Sequence, residues 1–203
     1  MNYGDLRTQL IGLINRDDLT ETQADVFLVQ GISRVQRTLR VPTMERIASL
    51  PTDADGYATI PAGYLSMKDG IFVESTGTKL KKLELGQFLT KGTTGLSQFY
   101  VRYPTQFRIK DNPGVTTTDF TISYYAEFQP LVVEEDEDPL LDAAFDLFLY
   151  ACAVFAADYF IDDRKAGFET SFQQFLGEVM TQAGEQETSE GYTTVSAGTD
   201  TEF

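Results

Sequence analysis

The sequence predicts an α+β fold, in which helix pairs at the two ends of the chain form a helical bundle and a small antiparallel β-sheet is inserted between them. Apolar residues recur at helical spacing in residues 1–42 and 139–183, whereas residues 46–128 contain strand-like segments separated by turn signals. Residues 184–203 contain no basic residue and almost no large apolar one, a composition typical of a flexible tail. We therefore predict one domain over residues 1–183, followed by an acidic flexible tail.

The N-terminal helix pair is predicted by apolar spacing and by a capping pattern. The first helix is marked by Leu6, Leu10, Leu13 and Ile14. Thr20 and Gln23 have the spacing of a capping box and open the second helix. Its apolar face is predicted at Val26, Val29, Ile32 or Ser33, Val35 or Gln36, and Leu39. Pro42 ends this helix, because the residue before a proline avoids helical geometry.

Three arginines, Arg34, Arg37 and Arg40, lie along another face of the second helix. Two interpretations of this basic face are open. The arginines form a solvated surface, which is the usual state of charged residues on a helix. Alternatively, they pair with acidic residues of a neighbouring subunit, which would make this face part of an assembly contact.

Turn signals divide the central region into strands. Residues 53–56 (DADG) separate two strand segments, and residues 75–77 (STG) separate two more. Residues 85–91 are predicted to form a short helix, and residues 120–125 alternate as a strand with one buried face. Asp53 and Asp55 have part of the spacing of a calcium loop, but the glutamate of an EF-hand is missing. We therefore interpret this motif as a turn.

The first C-terminal helix is predicted to begin at Asp138 and Pro139, an N-cap followed by a proline at the first helical position. One apolar stripe consists of Leu141, Phe145, Phe148, Cys152, Phe155 and Tyr159. A second stripe consists of Leu140, Ala144, Leu147, Ala151 and Val154. Because a helix that is apolar on two faces is buried on both, we predict that the second stripe contacts a neighbouring copy of the chain.

The second C-terminal helix is predicted to begin after Asp162 and Asp163, a further N-cap signal. Its aromatic and apolar stripe consists of Phe168, Phe172, Phe175 and Val179. This stripe is predicted to lie against the preceding helix as an antiparallel hairpin. Three carboxylates in the preceding helix, Asp142, Asp146 and Asp158, argue against a membrane span.

The composition excludes several kinds of catalytic chemistry. The chain has no histidine, which removes Ser-His-Asp and Cys-His catalysis and His-ligated zinc. It has no glycine-rich phosphate loop, and we predict no cofactor and no catalytic or metal site. Carboxylate-only chemistry remains open: a cell-wall glycoside hydrolase would draw its acid and base from Glu127, Glu134 and Asp142. The single Cys152 is predicted to be a small buried hydrophobe.

The negative charge is concentrated in the C-terminal third. Residues 1–46 and 47–127 each hold equal numbers of basic and acidic residues, whereas residues 128–203 hold two basic and seventeen acidic ones. DNA close to this third would be repelled. Within the tail, Tyr192, Thr193, Thr194 and Val195 are β-formers that could add as a strand to the sheet edge of another protein.

The order of elements and four stretches resemble the head-to-tail adaptor, or connector, proteins of tailed bacteriophages. The four stretches are residues 13–50, with a helix pair ending in LRV; 55–72, with a DGY and a PAGYL motif; 120–131, a tyrosine-rich strand ending in QPL; and 139–179, with PLL, DLFLY, an alanine-rich helix and an acidic break. One departure is Ala144-Phe145, where a tyrosine-proline pair is common in the family. The likeness covers most of residues 10–180.

The resemblance implies a structural virion protein without enzymatic activity, assembled in the host cytoplasm and located in the neck at the head–tail interface. Such proteins form a homo-oligomeric ring, here a dodecamer, that binds the portal protein and offers a surface to tail, nozzle or tail-completion proteins. The ring extends the DNA channel, through which phage DNA passes without specific binding, and no membrane is involved. The C-terminal segment with Tyr192 to Val195 would dock on the portal. The alternatives are another neck or tail protein and the glycoside hydrolase.

Overall fold

Two structural units divide the chain, one built mainly from strands and one from helices. The computed structural model describes residues 1–91, 99–110, 119–129 and 131–190. The sheet unit comprises Met1–Asp5 and Gln36–Asp142, and the helical unit comprises Leu6–Val35 and the chain from Ala143 onward. Helices make up nearly half of the described residues and the described strands pair antiparallel with one exception, so the predicted α+β class is confirmed.

The helices and strands follow the predicted order. The helices are α1 (Tyr3–Ile14), α2 (Glu21–Thr38), α3 (Leu85–Thr90), α4 (Pro139–Ala143), α5 (Phe145–Tyr159) and α6 (Lys165–Glu190), with a 3-10 helix at Pro42–Met44. The strands are β1 (Glu45–Ser49), β2 (Tyr57–Thr59), β3 (Tyr64–Val73), β4 (Lys81–Lys82), β5 (Phe99–Arg102), β6 (Gln106–Ile109) and β7 (Phe120–Ala126). The predicted short helix after residue 84 is therefore confirmed as α3.

The strands form two sheets, where the sequence predicted one. The first has the order β1-β7-β3 and is antiparallel; the second has the order β2-β6-β5-β4, with β4 parallel to β5. The turn at residues 53–56 is present, because Asp53 Oδ1 accepts hydrogen bonds from the amides of Asp55 (3.0 Å) and Tyr57 (2.8 Å). However, β1 before this turn pairs with β7, and β2 after it pairs with β6. A turn motif fixes where the chain reverses, but it does not choose the partner of each strand.

Strand β7 carries the buried face that its alternation predicted. Phe120, Ile122, Tyr124 and Ala126 are buried, and the residues between them are half-buried. These four side chains join one hydrophobic cluster whose other large members are Leu50, Ile71, Val73, Leu80, Tyr100, Phe107 and Ile109. The cluster draws residues from both sheets, so it forms the core of the sheet unit.

The capping box at the start of α2 is confirmed. Thr20 Oγ1 accepts a hydrogen bond from the Gln23 amide at 3.3 Å, and Gln23 Oε1 accepts one from the Thr20 amide at 2.9 Å. The predicted apolar face of α2 is wrong at Val26 and Val29, whose side chains are 51% and 58% exposed. The buried face is instead Ala24, Phe27, Leu28, Gly31 and Val35. Two residues of this face, Ala24 and Gly31, are small and add little hydrophobicity, so a pattern of apolar residues does not reveal that they are buried.

The helix predicted from Pro139 is divided in two. Asp138 caps α4 as expected, since its Oδ1 accepts a hydrogen bond from the Leu140 amide at 2.8 Å. The backbone then leaves helical geometry at Ala144, with φ −134° and ψ 45°, and α5 begins at Phe145. The break falls at the pair where the resembling family often has tyrosine and proline. Helix α5 therefore begins at residue 145 although this chain has Phe145, and not a proline, at that position.

Helices α5 and α6 form the predicted antiparallel hairpin. Tyr150 of α5 contacts two aromatic residues of α6, Phe168 and Phe175, with ring centroids 5.9 Å and 5.4 Å apart. Asp162 caps the second helix, because its Oδ1 accepts a hydrogen bond from the Arg164 amide at 2.9 Å. Helix α6 continues to Glu190, through residues 184–190 that the sequence assigned to the tail. The remaining tail residues lie outside the described part of the chain.

Candidate functional site

The residues predicted to face a neighbouring copy are buried within the single chain. The exposed fractions of Leu140, Ala144, Leu147, Ala151 and Val154 lie between 0% and 6%. An isolated subunit therefore already covers this stripe. The second stripe therefore serves the interior of one chain, whereas the first stripe is buried at Leu141, Phe148 and Cys152 and ends at Tyr159, which is 61% exposed.

Helices α2 and α5 approach each other closely where Gly31 meets Cys152. A Cβ atom built on Gly31 would lie 2.7 Å from the amide nitrogen of Cys152 and 2.8 Å from its Cα, and it would also collide with its Sγ. The two backbones therefore meet at this point with no room for a side chain. Cys152 is fully buried, as predicted, and burial raises the pKa of its thiol far above the ordinary value. The thiol is therefore neutral and shielded from reagents.

The three arginines of α2 have different environments. Arg34 donates two hydrogen bonds to the Glu169 carboxylate of α6, at 2.8 Å and 2.5 Å, and its guanidinium lies 4.0 Å from the ring centre of Phe172. Arg40 bonds to Ser66 Oγ at 2.9 Å and to backbone carbonyls. Arg37 is exposed. Two of the three therefore stabilise their own subunit, and neither the solvated interpretation nor the inter-subunit one holds for them.

The three carboxylates considered for a glycosidase are all exposed, and none of them lines either of the two pockets described below. Asp142 Oδ1 accepts a hydrogen bond from the N-terminal ammonium at 2.9 Å. The backbones of Glu127 and Glu134 bond to Gly63 and Gly4. Glycosidase catalysis needs two carboxyl groups facing each other across a cleft. The described residues place none of these three in such a cleft.

The other acidic motifs act as backbone caps. Asp136 accepts hydrogen bonds from the Val133 and Val132 amides, at 2.8 Å and 2.6 Å, and these bonds lower the pKa of its carboxyl group. Asp53 caps its own turn in the same way. Within the described ranges, no group of three metal-ligating side chains comes together. The predicted docking residues Tyr192 to Val195 lie outside the described residues.

Among the described residues, no helix is both long enough and apolar enough to cross a bilayer.

An apolar groove lies on the outside of the helical unit, between α2 and α5. Its lining comprises Gln23, Val26, Phe27, Gln30, Phe155, Asp158 and Tyr159, and its volume is about 390 Å³. Tyr159 is 61% exposed and its ring stands 5.6 Å from that of Phe27. The groove is therefore an apolar surface that a single subunit leaves open to solvent.

The turn between α5 and α6 exposes an isoleucine in a strained conformation. Ile161 has φ 52° and is 91% exposed. Its amide donates to the Asp158 carbonyl at 3.2 Å, and the next amide, of Asp162, donates to the Ala157 carbonyl at 2.8 Å. This is the Schellman pattern, in which the position of Ile161 usually holds glycine. A β-branched residue there is a rare exception.

The same turn meets the turn between α1 and α2. Arg164 donates hydrogen bonds to the carbonyls of Leu13 (3.1 Å) and Ile14 (2.8 Å) and pairs with Asp162 at 2.6 Å. Hydrogen bonds from Arg164 lower the pKa of the Asp162 carboxyl to about 2. We call the two turns, residues 15–20 and 160–164, the turn end. Its exposed Asp17 and Asp163 form no ion pair with a described residue.

A basic face lies on the second sheet of the sheet unit. Residues 79–110 hold seven basic residues and one acidic residue, Glu84, in a chain whose net charge is −15. The seven are Lys79, Lys81, Lys82, Lys91, Arg102, Arg108 and Lys110. They belong to β4, β5 and β6 or flank β4, α3 and β6. The strand register places Lys82 and Arg102 on one side of the sheet and Lys81 and Arg108 on the other, and we call the side with Lys82 and Arg102 the basic face. The charge count over residues 47–127 did not reveal these basic residues, because that longer range contains equal numbers of basic and acidic residues.

A small pocket opens in the basic face. It has a volume of about 150 Å³ and is lined by Tyr64, Ser66, Met67, Lys82, Tyr100, Arg102 and Phe107. The Arg102 guanidinium lies 5.2 Å from the ring centre of Tyr64. Burial raises the pKa of both tyrosines, so their hydroxyls stay neutral at physiological pH. The pocket therefore combines an aromatic floor with two cations at its rim.

The α+β fold thus leaves an apolar groove, an exposed isoleucine and a group of basic residues on the surface of a single subunit. Comparison with protein families identifies the chain. The SU10 adaptor protein family matches residues 1–197, so the chain belongs to this family of phage head–tail adaptors. The resemblance stated from the residues is thereby confirmed, and the protein is a structural component of a bacteriophage virion. A search of curated proteins finds no match to the chain.

Proposed function

We propose that this adaptor forms a ring in the neck of the virion, where it joins the portal protein to the tail and extends the DNA channel. The observation that carries the proposal is the family match, which covers residues 1–197 of the 203-residue chain. The fold supports it, because the two helix pairs and the inserted sheets occur in the order that the four resembling stretches predicted. Portal, tail and further copies of the chain are the partners of this proposal.

The charge distribution supports a channel role. Residues 128–203 hold two basic and seventeen acidic residues. Like-charge repulsion between this acidic region and the phosphate backbone would keep DNA from adhering while it moves. We propose that the acidic third of each subunit faces the channel and that phage DNA passes without specific binding.

The C-terminal segment is proposed to dock on the portal. Tyr192, Thr193, Thr194 and Val195 have high β-propensity, and an extended segment of this kind can add as a strand to an exposed sheet edge. Helix α6 is described as far as Glu190, and in the sequence only Gly191 lies between that residue and Tyr192.

Light scattering on the full-length protein mixed with its portal tests the proposed function. We expect a complex of defined mass with the full chain, and weaker binding by a chain that ends at residue 190. The matched control replaces residues 192–195 by glycine and serine, which keeps the length and removes the β-propensity. Circular dichroism should show the same helix content in all three proteins. Equal portal affinity of the three would contradict the docking role of the segment.

The same experiment separates the alternatives. Another neck or tail protein would not bind the portal but would bind a tail component offered in its place. A glycoside hydrolase would ignore both and release soluble fragments from peptidoglycan. Substituting Glu127, Glu134 and Asp142 together by glutamine or asparagine would abolish that release and leave portal binding unchanged.

A further inference from the structure

The basic face carries charge that no described carboxylate neutralises. Neither Lys82 nor Arg102 forms an ion pair with a described residue, and the same holds for the five other cations of residues 79–110. In the helical unit, by contrast, every basic residue is paired with a carboxylate. These pairs are Arg7–Asp25, Arg16–Asp18, Arg34–Glu169, Arg164–Asp162 and Lys165–Asp158. Cations left together in so acidic a chain indicate that the basic face meets an external anionic partner.

The aromatic rings of the basic face favour an acidic protein surface over single-stranded nucleic acid. Four cations of residues 79–110 already cover four rings: Arg102 over Tyr64, Arg108 over Tyr57, Lys91 over Phe99 and Lys110 over Phe88, at 5.2, 4.9, 5.0 and 5.4 Å from the ring centres. Rings covered in this way are not available to stack on bases, which is the main mode of single-strand binding. A chain with a net charge of −15 also repels nucleic acid at long range.

A surface with the complementary features exists on the same chain, at the turn end of the helical unit. It presents the carboxylates of Asp17 and Asp163, which have no ion pair with a described residue, and the exposed side chain of Ile161, two residues before Asp163. The pocket of the basic face is lined by Lys82 and Arg102 together with aromatic and apolar side chains. Each surface thus combines apolar and charged side chains, and the charges of the two surfaces have opposite signs.

We propose that the turn end of one copy docks on the basic face of the next copy, with Ile161 entering the pocket lined by Tyr64, Tyr100 and Phe107. The contact is heterologous, because two different surfaces of the same chain meet, and repetition of such a contact closes a ring when the rotation allows it. It rests on the proposed ring and names the surfaces that build it. The contact also covers Lys82 and Arg102, which removes their charge from the surface that the assembled ring offers to DNA.

A charge-swap experiment tests the contact. One variant reverses the basic face (Lys82→Glu with Arg102→Glu) and another reverses the turn end (Asp17→Lys with Asp163→Lys). Sedimentation velocity at about 0.05 M and about 0.5 M salt follows self-association, since ion pairs at a protein surface weaken as the Debye length shrinks. We expect the wild type to associate at low salt, each variant alone to remain monomeric, and an equimolar mixture to associate again.

The mixture is the decisive measurement, because each variant then offers the other an oppositely charged partner surface. A control variant with Arg37→Glu and Arg46→Glu makes the same change in net charge at exposed sites of the sheet unit outside the basic face, and it should associate like the wild type. Circular dichroism identifies any variant that fails to fold. Association of both reversed variants on their own, or a mixture that stays monomeric, would overturn the proposal.

Two further readouts assign a failure to its cause. If Lys82→Glu with Arg102→Glu abolishes binding to a fluorescent DNA duplex but leaves self-association intact, the basic face binds nucleic acid and the inference is wrong. If the charge-swapped mixture associates but the wild type does not bind the portal, the proposed function fails while the contact stands. A wild type that stays monomeric at low salt contradicts the contact and leaves portal binding to be judged separately.

Discussion

At the scale of single residues, Ile161 holds a left-handed backbone conformation (φ 52°) that a β-branched side chain disfavours. A non-glycine residue in the left-handed region costs roughly 1–2 kcal/mol, and a side chain that is 91% exposed recovers little by packing within the subunit. Strain of this kind persists where a side chain has another use. The proposed contact between copies gives Ile161 such a use.

We expect Ile161→Gly to raise the stability of the isolated subunit. Relief of the left-handed strain exceeds the conformational entropy that glycine adds to the unfolded chain, and the net gain should be about 1 kcal/mol. Differential scanning calorimetry should show a rise in Tm of roughly 2–4 °C. Ile161→Ala is the matched control, because it removes the side chain and keeps the strain. An equal rise for alanine and glycine would contradict this explanation. Under the proposed contact, both variants should associate less well.

The ion pair of Asp162 predicts a pH-dependent stability. Its pKa is about 2 in the folded protein, against a reference value of 3.8. The folded state therefore favours the charged form of this carboxyl group more than the unfolded state does. A lowered folded pKa stabilises the protein above pH 3.8, and this contribution is lost as the pH falls toward 2. Asp162→Asn keeps the helix cap but removes the charge.

We therefore expect Asp162→Asn to lower Tm at pH 7, and the difference from the wild type to shrink between pH 4 and pH 2. Thermal melts followed by circular dichroism measure this. Asp163→Asn is the control, since Asp163 is exposed and forms no ion pair with a described residue, so its Tm should follow that of the wild type. A difference for Asp162→Asn that stays constant across this pH range would show that its carboxylate does not act through the Arg164 pair.

At the scale of secondary-structure elements, the packing of α2 on α5 depends on the absence of one side chain. A Cβ on Gly31 would meet backbone atoms of Cys152, and backbone cannot move aside as a flexible side chain can. Gly31→Ala should therefore force the two helices apart. Overpacking of this kind costs about 1–3 kcal/mol, so chemical denaturation should show a lower free energy of unfolding.

Gly177→Ala is the matched control for Gly31→Ala. Gly177 also lies in a helix of the helical unit, but an added Cβ would meet no atom within 4 Å. Alanine there should stabilise the protein by about 0.5–1 kcal/mol, because it is the better helix former. If Gly31→Ala lowers the free energy of unfolding and Gly177→Ala raises it, the contact with Cys152, and not helix propensity, decides the effect at Gly31. Destabilisation by both would point to a different cause.

The elements themselves were largely predictable from local signals. The capping box of Thr20 and Gln23, the cap at Asp138 and the alternation of β7 each depend on residues within a few positions of one another. The errors arose where packing overrode the pattern. Val26 and Val29 fit an apolar stripe on α2, yet the buried stripe passes through Gly31, because the close approach of α5 requires a residue without a side chain.

At the scale of the whole molecule, the charge map carries more information than the total charge. The chain has a net charge of −15, yet seven of its sixteen basic residues fall in residues 79–110. The predicted assembly face, which consists of Leu140, Ala144, Leu147, Ala151 and Val154, is buried in the subunit. The proposed contact between copies uses two surfaces that remain exposed, the basic face and the turn end. They could have been found in part by counting charge over shorter windows.

The amino-acid sequence by itself determined the α+β class, the order of the helices and strands, the adaptor family and the lack of histidine-based chemistry. These follow from spacing, capping residues and composition, which act over short stretches of chain. Only the tertiary structure decided that the strands form two sheets, that Arg34 pairs with Glu169, and that the second stripe of α5 is interior. Each of these depends on partners that are far apart in sequence, and a local pattern does not specify which distant residues will meet.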